Sequence, residues 1–243
     1  MMWRWGVFGA LIVALGLLMP MGVALGGNTP TPTATANVFF QDDFATYSGR
    51  WQEQETPKAS VIYRDDALVL RVVSPGASVW SVPDFALTLE NYTLQTRVTV
   101  TADSDDAAVG YVFGYAEDAP FWAFLVSVRG DWQVLRRDEK AWRDVTPDDA
   151  EPIERDPQQT TLDLRADVCA DTVTFWVDGQ RVGVLQPDVE AWQGAGFGLI
   201  ARAGHGRIEA AFDVISVRAL AEEDESTDED GSDFEVGERG RTD

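Results

Sequence analysis

The chain of 243 residues is 45% hydrophobic and 11% aromatic, enough for one well-packed core and too short for two large domains. Its 41 acidic and 19 basic residues leave a formal charge of −22, so nucleic acid or an anionic lipid surface would have to be bound against the net field, and both are set aside. The single cysteine, Cys169, excludes an intramolecular disulfide, and the single histidine, His205, excludes a histidine zinc site.

Taken in chain order, Arg4 precedes an uncharged stretch that runs from Trp5 past Leu25, and no charge follows until Asp42. The apolar length exceeds an ordinary signal-peptide core and just suffices to span a bilayer, so residues 1–27 read as an apolar helix that is either a cleaved signal or an uncleaved anchor holding the membrane through residues 5–25. In both cases the positive flank stays inside, which predicts an extracytoplasmic domain, secreted or tethered to the outer face of the cytoplasmic membrane. Residues 28–37, NTPTPTATAN, read as an extended Thr/Pro-rich linker with nothing to bury.

From residue 38 to residue 220 short period-two runs alternate with turn residues, and no window sustains a helical period. Strands are expected at VFFQDDF, ASVIYR, ALVLRVVS, YTLQTRVTV, AAVGYVFGY, FWAFLVSV, DWQVLRR, TTLDLRA, DTVTFWVDG, QRVGVLQ, GFGLIARA and IEAAFDVISVRAL. Asp178-Gly179 supplies the positive φ values of a tight two-residue hairpin. Thr146–Gln159, rich in Pro, Asp and Glu, reads as a long surface loop, and Cys169 as a buried, inert thiol. Beyond Leu220, residues 221–243 hold 11 acidic residues against Arg239 and Arg241, the composition of a disordered acidic tail.

The runs FQDDF, NYTLQTRVTV, FWAFLVSVRGDWQVLRR, VTFWVDGQRVG, GFGLIA and AAFDVISV together resemble the concanavalin-A-like lectin/glucanase jelly-roll superfamily, more narrowly its laminin-G-like and family-16-glycosidase-like domains in exported bacterial proteins. The resemblance covers residues 38–220 and implies an all-β, two-sheet antiparallel jelly-roll sandwich. This fold hosts lectins, carbohydrate-binding modules, hydrolases and adhesive domains, so it does not choose an activity. It also implies calcium where the first and last strands run side by side, with Asp42, Asp43 and Asp213 as candidate oxygen ligands.

Strand parity assigns Trp122, Phe124, Val126 and Val128 to one face, continued by Trp132 and Val134 and by Val173, Phe175 and Val177, and this face is the expected core. The opposite face of the Ala108–Tyr115 run is nearly bare, and glycine inside a strand marks close approach of a ligand or of another backbone. Trp176 points away from Phe175. With Ser127, Arg129 and Arg202 it forms the candidate site for stacking on a sugar ring and hydrogen bonding its hydroxyls. The Glu-x-Asp-x-Glu strand of family-16 enzymes is absent, and Glu53 and Glu55 fall in a turn-like segment. The expected function is therefore a non-catalytic binding or adhesive domain for a glycan or cell-surface polymer. The alternatives are a glycoside hydrolase with a non-standard carboxylate pair and a structural protein-interaction domain.

Overall fold

The computed structural model describes residues 37–85, 91–116, 119–139, 141–148, 150–156, 158–169, 172–186 and 196–220. The apolar segment 1–27, nearly all of the linker and the acidic tail lie outside the described residues. Among the described residues no helix is long and apolar enough to cross a membrane.

Strands are numbered along the chain. One sheet has nine: β1 (Val38–Asp42), β2 (Gln54–Glu55), β3 (Ala59–Arg64), β4 (Ala67–Val72), β6 (Asn91–Ala102), β11 (Thr161–Cys169), β12 (Thr172–Val177), β13 (Gln180–Leu185) and β15 (Ile208–Ala219). The other has six: β5 (Ser78–Ser81), β7 (Ala108–Tyr115), β8 (Phe121–Ser127), β9 (Trp132–Asp138), β10 (Ala141–Asp144) and β14 (Gly196–Arg202). The orders are β13-β12-β11-β6-β15-β4-β3-β2, with β1 also on β15, and β10-β9-β8-β7-β14-β5. Every pairing is antiparallel, as the period-two pattern and the absence of helical spacing require. The expected two-sheet sandwich is the fold observed, and the twelve expected strands are all present. The short strands β2, β5 and β10 are additions that hydrophobic alternation did not mark.

Side chains from the two inner faces interdigitate as the core. Phe124 from the six-stranded sheet stacks on Phe175 from the other, centroids 4.3 Å apart and planes 9° from parallel. Trp122 and Trp132 are both buried in this layer, as parity predicts. The Trp132 ring lies where a Cβ on Gly183 would stand, 2.3 Å from it, so only glycine at that position of β13 leaves room for the indole. Tight turns follow backbone chemistry: Asp178 and Gly179 both have positive φ, and so do Asp65 and Asp66 between β3 and β4.

One expectation is refined and one corrected. The segment after Thr146 is a loop, as expected, but it is pinned to the body of the domain. Ile153 is buried and its N–H donates to the Gly130 carbonyl, Trp132 Nε1 donates to the Glu151 carbonyl, and the nearly inaccessible Arg155 side chain reaches Asp178 and the carbonyls of Val128 and Thr161. The Trp132 indole and the backbone of the β8–β9 turn need partners, and this loop supplies them. Cys169 is exposed, because it ends a strand whose alternate residues Leu162, Leu164, Ala166 and Val168 point inward.

Candidate functional site

The residues singled out in the sequence do not converge. Trp176 stands on the outer side of β12, in the nine-stranded sheet, opposite Arg165 of β11. The Arg165 guanidinium lies 5.3 Å over the ring, and the indole N–H donates to Asp167 Oδ2 at 3.0 Å. Ser127 ends β8 of the other sheet, and Arg129 lies in the turn that follows it. The buried Ser127 Oγ accepts the N–H groups of Arg129 and Asp131 and so organises the turn, while Arg129 is paired with Asp131 at 3.6 Å. Arg202 ends β14 and lines a separate hollow with Gln133, Asp106 and His205. There His205 Nδ1 is 2.6 Å from Asp106 Oδ2, and the Asp106 carboxyl is pulled down to about 2 by the His205 backbone N–H and then by the Ser104 hydroxyl.

The aspartates considered for calcium are likewise engaged. The Asp42 carboxylate accepts the Phe44 N–H at 2.9 Å, the Ser48 hydroxyl at 3.0 Å and the Trp51 indole N–H at 3.1 Å. Asp43 accepts the Ala45 N–H, closing the same turn. Asp213 is exposed in a bulge of β15, at the point where that strand's partner changes from β4 to β1. Hydrogen-bearing donors occupy both oxygens of Asp42, and the described residues contain no group of three His, Cys, Asp or Glu placed to hold a metal. In this arrangement Asp42 and Asp43 cap the loop that follows β1. Asp42→Ala is expected to cost about 2–4 kcal/mol, because it orphans a buried indole N–H together with two further donors; a denaturant titration of both proteins checks this.

A different site is built where the edges of the two sheets meet. The segment before and through β2 runs beside β5. Trp51 bridges to Pro83, the Ser81 hydroxyl donates to the Gln52 carbonyl, Gln54 Nε2 donates to the Trp80 carbonyl, and the Asp84 N–H donates to the Arg50 carbonyl. Along this seam lies a groove of about 760 Å³. From the first segment Arg50, Gln52, Gln54, Thr56 and Lys58 line it at every second position, joined by Gly49, Trp51 and Ala59 towards the ends of the segment. Ser78, Trp80 and Val82 line the other side, with Asp84 and Tyr115 towards one end. The alternation that turns these polar groups into the groove leaves Glu53 and Glu55 out of its lining, and Glu53 instead accepts the Tyr63 N–H.

Trp80 and Tyr115 also belong to a second apolar cluster, on the outward face of the six-stranded sheet. Val112, Ala123, Leu125 and Ile200 are its buried floor, and Trp80, Val82, Tyr115 and Trp142 pack against it. Trp80 comes from one edge strand and Trp142 from the opposite edge, yet their centroids are 6.1 Å apart, and Phe121 lies 5.7 Å from one and 5.5 Å from the other. The Arg137 guanidinium sits 5.8 Å from the Trp80 centroid and 5.2 Å from that of Trp142. The face expected to be bare is therefore filled by aromatic rings. What approaches its glycines is protein: a Cβ on Gly110 would meet the Phe124 carbonyl oxygen, and one on Gly198 that of Ser81.

No family model matches the chain. No curated protein matches it either. Among solved structures, the carbohydrate-binding module CBM66 from Bacillus subtilis superposes with a TM-score of 0.52 at 13% identity, over 70% of this chain and 95% of the module. A Bacillus licheniformis β-glucanase gives 0.51 at 12% identity, over 77% of this chain and all of the enzyme. A xylan β-1,4-xylosidase from Bacillus halodurans gives 0.51 at 16% identity over 73% of this chain, which spans only 38% of that protein. The chain thus has the lectin/glucanase-like jelly-roll fold, shared here by a binding module and by hydrolases.

Proposed function

We propose that this domain binds glycans without cleaving them, and that it does so in the seam groove. The observation that carries the reading is the groove's composition: a ladder of hydrogen-bonding side chains faces the half-buried aromatic Trp80, and Asp84 is the one carboxylate in its lining. An amphipathic sugar needs a flat apolar surface and fixed hydrogen-bonding groups together. Hydrolysis needs two carboxyl groups, about 5–5.5 Å apart in retaining enzymes and about 6.5–9.5 Å apart in inverting ones. The outward faces of β5, β14, β7, β8 and β9, the sheet that supplies Trp80 and Tyr115, also carry no Asp or Glu among the described residues.

The test is a titration of intrinsic tryptophan fluorescence with a panel of polysaccharides, run with calcium and with a chelator, while released reducing ends are assayed in the same tubes. The expected result is a saturable change without new reducing ends, lost in Trp80→Ala and weakened at least about fivefold in Gln52→Ala, whose exposed side chain leaves the melting curve unmoved. Reducing ends that vanish in Asp84→Asn would replace this reading by the hydrolase. A dependence on calcium would add the ion to the site.

We further place the domain outside the cytoplasm, on the strength of Arg4 ahead of the uncharged run. A phosphatase reporter fused after residue 40 is expected to be active only when exported; activity of a reporter that works solely in the cytoplasm would refute the placement.

A further inference from the structure

Resting on that reading of the groove, we infer that its ligand is an anionic glycan, one whose sugars carry carboxylate or sulfate groups. The chain holds 41 acidic residues for 19 basic ones, so a basic side chain has ample opportunity to find a carboxylate. Most described arginines do: Arg64, Arg97, Arg129, Arg136, Arg143, Arg155, Arg165 and Arg207 are all ion-paired. Among the described residues Arg50, Lys58, Arg71, Arg137, Arg181, Arg202 and Arg218 have no such partner; Arg50 and Lys58 line the groove with Trp80, and Arg137 lies over the Trp80 ring, so three of these seven free cations gather at one aromatic side chain. Arg50 and Lys58 lie at the two ends of the polar ladder, so the groove has two cations against Asp84, and the Asp84 link to Arg50 runs through backbone atoms. Arg137, outside the groove lining, lies over the Trp80 and Trp142 rings, held by aromatic faces in place of a carboxylate.

A local excess of positive charge on a strongly negative protein works against the global field, and the groups that create it are placed around a sugar-sized aromatic surface. Neutral sugars make no use of it. A chain of acidic sugars does: the guanidinium takes a carboxylate or sulfate in a two-pronged hydrogen bond, Lys58 meets a second as a point charge, and Trp80 takes the ring between them. The negative net charge repels polyanions in general, so binding of one requires a local cluster of cations, and the double variant below asks whether this cluster supplies it.

The experiment is native affinity electrophoresis of the full chain through gels containing polygalacturonate, dextran sulfate, neutral barley β-glucan or poly-L-glutamate. Retardation by polygalacturonate or dextran sulfate, whichever of the two charged groups the site prefers, is expected, with little by β-glucan and none by poly-L-glutamate. The R50Q/K58Q double variant is expected to lose at least about tenfold in affinity, R50K to lose less, and raised salt to weaken binding. Unchanged binding of the double variant would overturn the inference, as would retardation by poly-L-glutamate equal to that by the acidic polysaccharides. Retardation by β-glucan alone, abolished in Trp80→Ala, would overturn the anionic assignment and leave glycan binding standing. Retardation by none of the four would remove both.

Discussion

Replacing Phe175 by alanine is expected to lower the thermal midpoint by roughly 10 °C or more, while the same change at its neighbour Trp176 costs a small fraction of that. Phe175 is fully buried between the sheets, stacked on Phe124 and tilted against Phe113. Truncating such a ring removes its burial and leaves a cavity, for about 3–5 kcal/mol, and a domain of this size shifts by about 2–4 °C per kcal/mol. Trp176, one residue on, faces out and is half-buried, with an Arg165 contact and one hydrogen bond to Asp167 to lose, for about 1–2 kcal/mol. Calorimetric scans of the two variants decide it, and equal losses would show that the faces of β12 are misassigned.

The second large effect is at glycine. Gly110→Ala is expected to abolish soluble folded protein, because the new Cβ would stand 1.8 Å from the Phe124 carbonyl oxygen, a backbone atom of the neighbouring strand that has no rotamer by which to retreat. Relief requires parting β7 from β8 in the middle of the six-stranded sheet, a cost beyond about 4 kcal/mol. Gly76→Ala separates space from backbone conformation. Its φ is +71° but nothing lies within 4 Å, so the expected loss is only about 1–2 kcal/mol. Soluble yield and urea midpoints measure both, and a stable Gly110→Ala protein would refute the register of β7 on β8.

These contrasts also mark how far the sequence could be read. Runs with apolar residues at every second position, such as Leu162 to Val168 or Val173 to Val177, gave both strand and face correctly, since burial on one side of a pleat imposes that period; Trp122 to Val126 is apolar throughout because β8 is buried on both faces. The hairpin at Asp178 was equally legible from its turn chemistry. The seam groove was not. Its ladder alternates polar side chains, Arg50 to Lys58, and a hydrophobic period is blind to that. Trp80 and Trp142 sit in four-residue edge strands too short to show a period at all, and their meeting depends on the curl of a sheet whose strand order the sequence does not state. At Gly110 the sequence left open whether a ligand or another backbone comes close, and the close neighbour is a carbonyl of the adjoining strand. Trp176 was assigned to an outer face correctly, but Ser127 and Arg202 end strands of the other sheet and Arg129 lies in a turn of that sheet, which parity alone does not give.

The placement of β15 sets a timetable. The last strand of the domain lies in the middle of the nine-stranded sheet, with β6 along one edge and β4 and then β1 along the other. A nascent chain that has emerged only as far as Gly206 therefore has its early hairpins available but two open sheet edges where its centre should be, and the buried layer that includes Phe212, Ile215 and Val217 is missing. Closing contacts that join residue 38 to residue 218 demands nearly the whole chain, and such long-range pairings form slowly, in about milliseconds to seconds. Completion of the sandwich thus waits for β15, and until that strand is inserted the early hairpins remain two halves of a sheet with no centre to join them.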